Sequence, residues 1–284
     1  MSSRSPRTQR RPGVRVVLGP RDEALLRGLA RFRVATTSQL VSLFFRGVRR
    51  DTAAVRLRRL YDAGVLDVAH SGLNAENIYA IGPAGRRWLA ARGLSAGAPP
   101  RGQLDHHLGL VGLWTGLAAA LHGSSALHLV RFTPDWEGRQ QKAGTGALVI
   151  PDAEVLLTLR PEAGGPNRVR LFVELDLGTE RHGALARKLV AYAAESPGEA
   201  TGLVVILEGA GDARLAAVRR LVAEHWPSWS LVCRRLDWPG PLLATLGHES
   251  RLPHPDSPCG EGSPAGATLC GSTATRNHGE GHSR

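Results

Sequence analysis

Hydrophobic and polar positions change period several times along the chain, and each change marks an element. Within residues 22–31, Leu25, Leu26 and Leu29 fall at helical spacing and predict a first helix. A second is expected after the cap signal Thr36-Thr37-Ser38, running through Gln39, Leu40, Leu43 and Phe44. A third spans residues 51–63 and stops at Gly64, with Ala53, Ala54, Leu57, Leu60 and Tyr61 on its apolar face. Residues 64–68 and 77–81 then read as two strands of a hairpin around a polar loop. A fourth helix, 84–92, precedes a stretch of linker composition, GLSAGAPPRG, at 93–102.

The second half starts with residues 104–122, apolar almost all round, which predicts a buried helix. Its uncharged part, 108–121, is too short to span a bilayer. Strands follow at 127–136 and 147–160, separated by a Gly-rich break at 138–146. A strand at 171–177, a helix ending near 194 and a strand at 202–207 complete an α-β-β-β-α-β order. A helix at 212–226 and a strand at 230–237 extend it. The expected class is α/β (α+β): a basic arm at 1–20, one domain at 21–93, a linker at 94–103, a second domain at 104–238 and a disordered tail at 239–284. In that tail Cys259, Cys270, His278 and His282 lack the tight cysteine spacing of a zinc site.

Charge sharpens the first half. The chain has 34 Arg and 2 Lys, a bias that fits a GC-rich coding sequence and makes a lysine more informative than any one arginine. Residues 1–100 carry 18 Arg against 6 acids and so have a charge of +12, while the remainder sums to −1, for a net +11. That imbalance points to a polyanion partner, nucleic acid rather than a membrane surface. Thr52, Val55, Arg56 and Arg59 lie opposite the apolar face of the third helix, with Arg49 and Arg50 just before it. Helix, helix, basic helix and β-wing is the winged helix-turn-helix order, in which the third helix enters the major groove of double-stranded DNA. Arg49, Arg50, Thr52, Arg56 and Arg59 are therefore the candidate DNA contacts; use of the same fold as a protein-interaction platform is the alternative. Three cysteines without a paired framework and no apolar leader fit a cytoplasmic protein.

The chemistry concentrates between Pro151 and Tyr192. Alternation in LFVELDL puts Phe172, Glu174 and Asp176 on one strand face, and Asp152 and Glu154 share a face on the strand before. Acids inside apolar strands need water, a cation or a basic partner. After Gly178 and the candidate cap Thr179, helical spacing aligns Arg181, Leu185, Lys188 and Tyr192 on one stripe. Asp152, Glu174 and Asp176 thus become candidate ligands of Mg²⁺, with Mn²⁺ as an alternative, and Lys188 the charge at a scissile phosphate. The bland alternative is an exposed sheet whose acids pair with Arg181 and Lys188. His106 and His107 are adjacent on a helix, point about 100° apart and make a poor metal pair, so a structural role is expected. No phosphate-binding glycine loop occurs, and no tyrosine outside a regular element suggests a nicking nucleophile.

These residues resemble the PD-(D/E)xK nuclease superfamily. Asp152 after Pro151 matches its first acid, and Glu174, after 21 intervening residues, its second. Asp176 stands where the lysine is expected, and Lys188 matches branches that supply it from the next helix. Lys188-x-x-x-Tyr192 lies where some branches contact DNA, adding Tyr192 to the DNA-binding candidates. With the winged order, the buried helix and PDA…FVELDLGTE…KL..Y, the chain more closely resembles the replication-relaxation family of actinobacterial plasmids and other mobile elements, over about residues 20–235. The resemblance implies DNA as substrate or ligand and a restriction-endonuclease-like second domain. It also brings plasmid replication or transfer proteins, and a second copy in a homodimer, into view as partners. A nicking enzyme, a non-catalytic replication initiator and a ligand-sensing transcriptional regulator all stay open.

Overall fold

The computed structural model describes residues 9–70, 76–100, 102–122, 124, 127–141, 149–159, 168–178, 180–194, 201–226 and 228–247. Helices with a small antiparallel sheet come first, and a five-stranded mixed sheet with its own helices follows. Thr179 and the Cys/His tail at 248–284 lie outside the described residues.

The first part comprises α1 (Pro20–Phe32), β1 (Val34–Thr36), α2 (Thr37–Phe44), α3 (Arg50–Asp62), β2 (Leu66–His70), β3 (Asn77–Ile81) and α4 (Pro83–Ala90). Pro20 suits the first turn of α1, where no N–H is needed, and the Asp22 carboxylate accepts the Gly19 N–H at 2.9 Å. The cap signal before α2 resolves to Thr36, whose hydroxyl accepts the Gln39 N–H while the Gln39 side chain accepts that of Thr36. Strand order is β1-β3-β2, all antiparallel. Three residues of β1 are too few to show a period, so the sequence pattern misses it. On α3, Ala53, Leu57, Leu60 and Tyr61 are buried as expected. Ala54 is exposed instead, because one further residue turns it about 100° out of the buried arc.

The second part comprises α5 (Leu104–Ala120), β4 (Leu127–Pro134), α6 (Asp135–Gln141), β5 (Ala153–Leu159), β6 (Arg168–Asp176), α7 (His182–Ala194), β7 (Thr201–Leu207), α8 (Asp212–His225), β8 (Ser230–Arg234) and α9 (Gly240–Gly247). The sheet runs β4-β5-β6-β7-β8, antiparallel up to β6 and parallel from β6 to β8. Helices α7 and α8 pack on the face carrying Phe172, Leu203 and Val205, while α5 and α9 pack on the face carrying Val173, Leu175 and Ile206.

Two expectations need correction. Residues 135–141 form α6 rather than strand and break, held by an Asp135–Arg139 pair one turn apart at 2.9 Å. The expected disordered tail begins too early: α9 places Leu242 and Leu246, four residues apart, fully in the core. Its Gly and Pro flanks hide that spacing.

The all-round apolar character of α5 has a direct cause, since it is buried on two sides. Leu110, Leu113 and Leu117 meet the five-stranded sheet, and Val111 and Trp114 meet the core of the first part. Polar contacts reinforce the junction. Gln39 Nε2 donates to the Leu108 carbonyl at 2.8 Å, Arg31 forks onto Glu137 at 2.7 and 3.0 Å, and His107 Nε2 donates to the Phe32 carbonyl at 2.6 Å. Within the expected linker, Leu94 and Ala96 pack onto the first core.

Candidate active site

Register builds the site. Ala153 pairs with Val173 across β5 and β6, which brings Asp152, just ahead of β5, beside Glu174. The Asp152 N–H points to Glu174 Oε1 at 3.4 Å, and Asp152 Oδ2 accepts the Leu175 N–H at 2.8 Å. The β6–α7–β7 crossover lays α7 over the same face. There Leu185, Leu189 and Tyr192 are buried, and Lys188 reaches down with them. Lys188 Nζ donates to Glu174 Oε2 at 2.6 Å and to Glu180 at 3.0 Å. Asp152, Glu174 and Lys188, from three elements, therefore share one spot.

Glu174 is 1% exposed, and its carboxyl is pushed up to about 7, first by burial and then by the Asp152 charge; Lys188 and Tyr192 only partly offset this. Lys188 is held above its ordinary value: burial would lower it, but Glu174 and Asp152 outweigh that. The ammonium stays charged between two acids. Over Asp152 and Lys188 opens a cleft of about 520 Å³, lined also by Asp105, His106, Asp135 and Asp176, with Glu174 buried beneath.

Three candidates take other roles than expected. Asp176 is 2% exposed and engaged: Oδ1 accepts the Gly178 N–H at 2.8 Å, and Oδ2 accepts Arg214 Nε at 3.0 Å. It pairs with Arg214 of α8, not with Arg181, which is exposed. Gly178 sits at φ +84°, a left-handed turn that favours glycine. Tyr192, expected to touch DNA, is fully buried, and its hydroxyl donates to Glu174 Oε1 at 2.5 Å. Arg56, another expected contact, is turned back onto Asp22 of α1, donating through Nε at 3.0 Å, and onto the Val17 carbonyl at 2.9 Å.

Of the remaining α3 candidates, Arg49 is 87% exposed and lies 3.9 Å from Asp51, while Arg50 pairs with Glu76 at 2.5 Å. Thr52 and Arg59 are exposed. Among the described residues Arg59 has no polar partner, which leaves its guanidinium available.

His106 is the site residue that the sequence pattern passes over. Its Nε2 lies 3.3 Å from Asp152 Oδ1, and that contact raises the imidazole's basicity against the effect of burial. The divergence that spoils the histidine pair for a metal lets the two do different work. His107 faces the first part and stacks on Trp136 at 4.0 Å, with burial holding it neutral. Gly109, one turn on, allows α5 to lie close, since a Cβ there would run into the Leu175 side chain.

Among the described residues no group of three or more His, Cys, Asp or Glu is arranged to hold a metal ion. Of the three expected carboxylates, Asp176 lines the same cleft as Asp152 but is paired with Arg214. No helix among them is long and apolar enough to cross a membrane.

Fold and site together define a mixed α/β protein: a basic helical part joined to a five-stranded sheet that holds a buried carboxylate–ammonium cluster. The sequence model of the replication-relaxation family matches residues 26–199, from α1 through the acid cluster and α7. The chain belongs to that family, and membership implies a role in plasmid replication. Neither the curated proteins nor the solved structures gave a match.

Proposed function

We propose that the chain docks on double-stranded DNA through a winged helix-turn-helix at 21–93, and that a PD-(D/E)xK-like domain at 104–247 nicks or cuts it. The observation that carries this reading is that Asp152 and Lys188 line one cleft while both contact the buried Glu174 beneath it. Two adjacent carboxylates suit Mg²⁺ or Mn²⁺, which keep several waters and bind through one or two carboxylates plus substrate phosphate. Asp152 and Glu174 would hold the ion. When bound, it supplies Lewis-acid stabilisation of phosphate charge and a more acidic water. Within the chain, the Leu175 N–H fixes Asp152, the Tyr192 hydroxyl orients Glu174, and Lys188 presents positive charge to the phosphate.

A second reading, a non-catalytic replication initiator or regulator, is favoured by one observation. Each oxygen of Asp152 and Glu174 already faces a donor in the protein: Leu175, His106, Tyr192 or Lys188. Supercoiled plasmid incubated with Mg²⁺ or Mn²⁺ separates the two. The parent is expected to make open circles, while Asp152→Ala and Glu174→Ala make none. Equal inertness of all three with DNA binding intact would establish the second reading.

For docking, Arg59→Ala is expected to weaken binding several-fold and to flatten the salt dependence by about one unit of slope. Arg56→Ala is expected to act differently, costing about 2 kcal/mol of stability, because Asp22 is 4% exposed and loses its partner. Burial alone would raise the Asp22 carboxyl, but Arg56 and the Gly19 N–H hold it below its ordinary 3.8. Its contribution is thus full above that value and lost as pH falls through the depressed folded value. Urea unfolding at neutral and acid pH checks this: the Arg56→Ala deficit should shrink on acidification, and a deficit independent of pH would contradict it.

A further inference from the structure

On one half of the five-stranded sheet the described helices α7 and α8 do not cover the charged face, whose two outer rows reach solvent while its innermost row is largely buried. The apolar cluster under α7 and α8 contains no residue of β4 or β5. Strand register arranges what remains into rows across β4, β5 and β6. His128, Thr158 and Arg168 form one row; Arg131, Leu156 and Arg170 form the next; Thr133, Glu154 and Phe172 form the third. Same-face rows are about 6.6 Å apart, so Arg170 lies about 13 Å along β6 from Glu174. Arg131 is 53% exposed and Arg168 is exposed.

We infer that this face is a second DNA contact: a track in which Arg131, Arg168 and Arg170 take the phosphates of a strand that continues toward the Asp152–Glu174 cleft. Among the described residues three guanidinium groups stand against one carboxylate, Glu154, which pairs with Arg131 at 3.2 Å and Arg170 at 2.7 Å. Arg168 has no polar partner among the described residues. Its guanidinium faces solvent and is free to exchange water for phosphate oxygens. The two buried side-chain atoms that lack any hydrogen-bond partner among the described residues are Arg170 Nε and Thr133 Oγ1. They occupy neighbouring rows of this same face. Buried donors without acceptors are uncommon, while the guanidinium groups of Arg131 and Arg168 are the ones that an anion reaching this face would meet. Charge complementarity therefore selects the phosphate backbone as the occupant. Apolar side chains on its two arginine rows are Leu156 and the half-exposed bulge residue Val130 beside Arg131, fewer than the charged and polar groups around them.

The inference rests on DNA being the ligand, and it is independent of whether the cleft cuts. Its test is fluorescence anisotropy of the full chain with a labelled mixed-sequence duplex over a range of KCl concentrations. Arg131→Ala combined with Arg168→Ala should weaken binding roughly ten-fold or more and make the salt slope shallower by about two. Glu154→Gln should tighten binding. Arg168→Glu, at an exposed position without a partner to disturb, guards against a folding artefact and should weaken binding further. Unchanged affinity and slope in these variants, while Arg59→Ala still weakens binding, would overturn the track and leave the docking helix standing. A parent chain that binds no duplex would overturn both.

Discussion

Replacement of Arg214 by alanine is expected to cost about 3–5 kcal/mol of unfolding free energy, a large share of the stability of an ordinary domain. Asp176 is 2% exposed at the end of β6, and Arg214 forks onto it from α8. Without that cation the carboxylate keeps the Gly178 and Glu180 N–H groups but loses its charge partner. Burying an uncompensated charge is far costlier than replacing the pair. Arg214 also donates to the Glu180 carbonyl at 2.8 Å, so its loss loosens the turn that starts α7. Urea unfolding should show the midpoint falling, with much of the loss recovered when Asp176→Asn is added. An unchanged midpoint would mean that Asp176 is solvated.

Removing the Lys188 ammonium, as in Lys188→Ala, is expected to lower plasmid nicking by about 10²- to 10³-fold with DNA affinity nearly unchanged. The ammonium lies 2.6 Å from Glu174 and is 30% exposed at the cleft, so it touches the buried acid and would meet a phosphate brought into the cleft. Its loss also leaves Glu174 beside the Asp152 charge with no cation, supported by the Tyr192 hydroxyl and the Asp152 N–H. Lys188→Arg keeps the charge but not the compact ammonium, and should recover only part of the rate. A Lys188→Ala variant as fast as the parent would remove Lys188 from the chemistry and leave it a structural counter-ion.

Much of this arrangement can be read from the residues alone, and the gaps have physical reasons. Period-two alternation correctly puts Glu174 and Asp176 on one face of β6, and helical spacing puts Lys188 and Tyr192 on one stripe of α7. Which way that stripe faces is set by the crossover between parallel strands. Flanked by Leu185 and Leu189, it turns to the sheet, and Tyr192 becomes a prop for Glu174 rather than a contact for DNA. Arg214 could not be singled out, being one arginine among 34 and 38 residues from its partner. Arg56 shows the same limit. Its place opposite the apolar face of α3 is visible in the sequence, but the buried Asp22 that claims it belongs to another helix. His106 needed the third dimension, since only the packing of α5 against β6 brings it to Asp152.

The most direct test of a single shared site is a double-variant cycle on nicking. Rates would be measured under single-turnover conditions for the parent, Asp152→Ala, Lys188→Ala and the combination. Groups acting as one unit give losses that do not multiply, so the double variant should be about as slow as the slower single one. Losses that multiply, or a parent no faster than its variants, would contradict the proposal that β5, β6 and α7 deliver one catalytic centre.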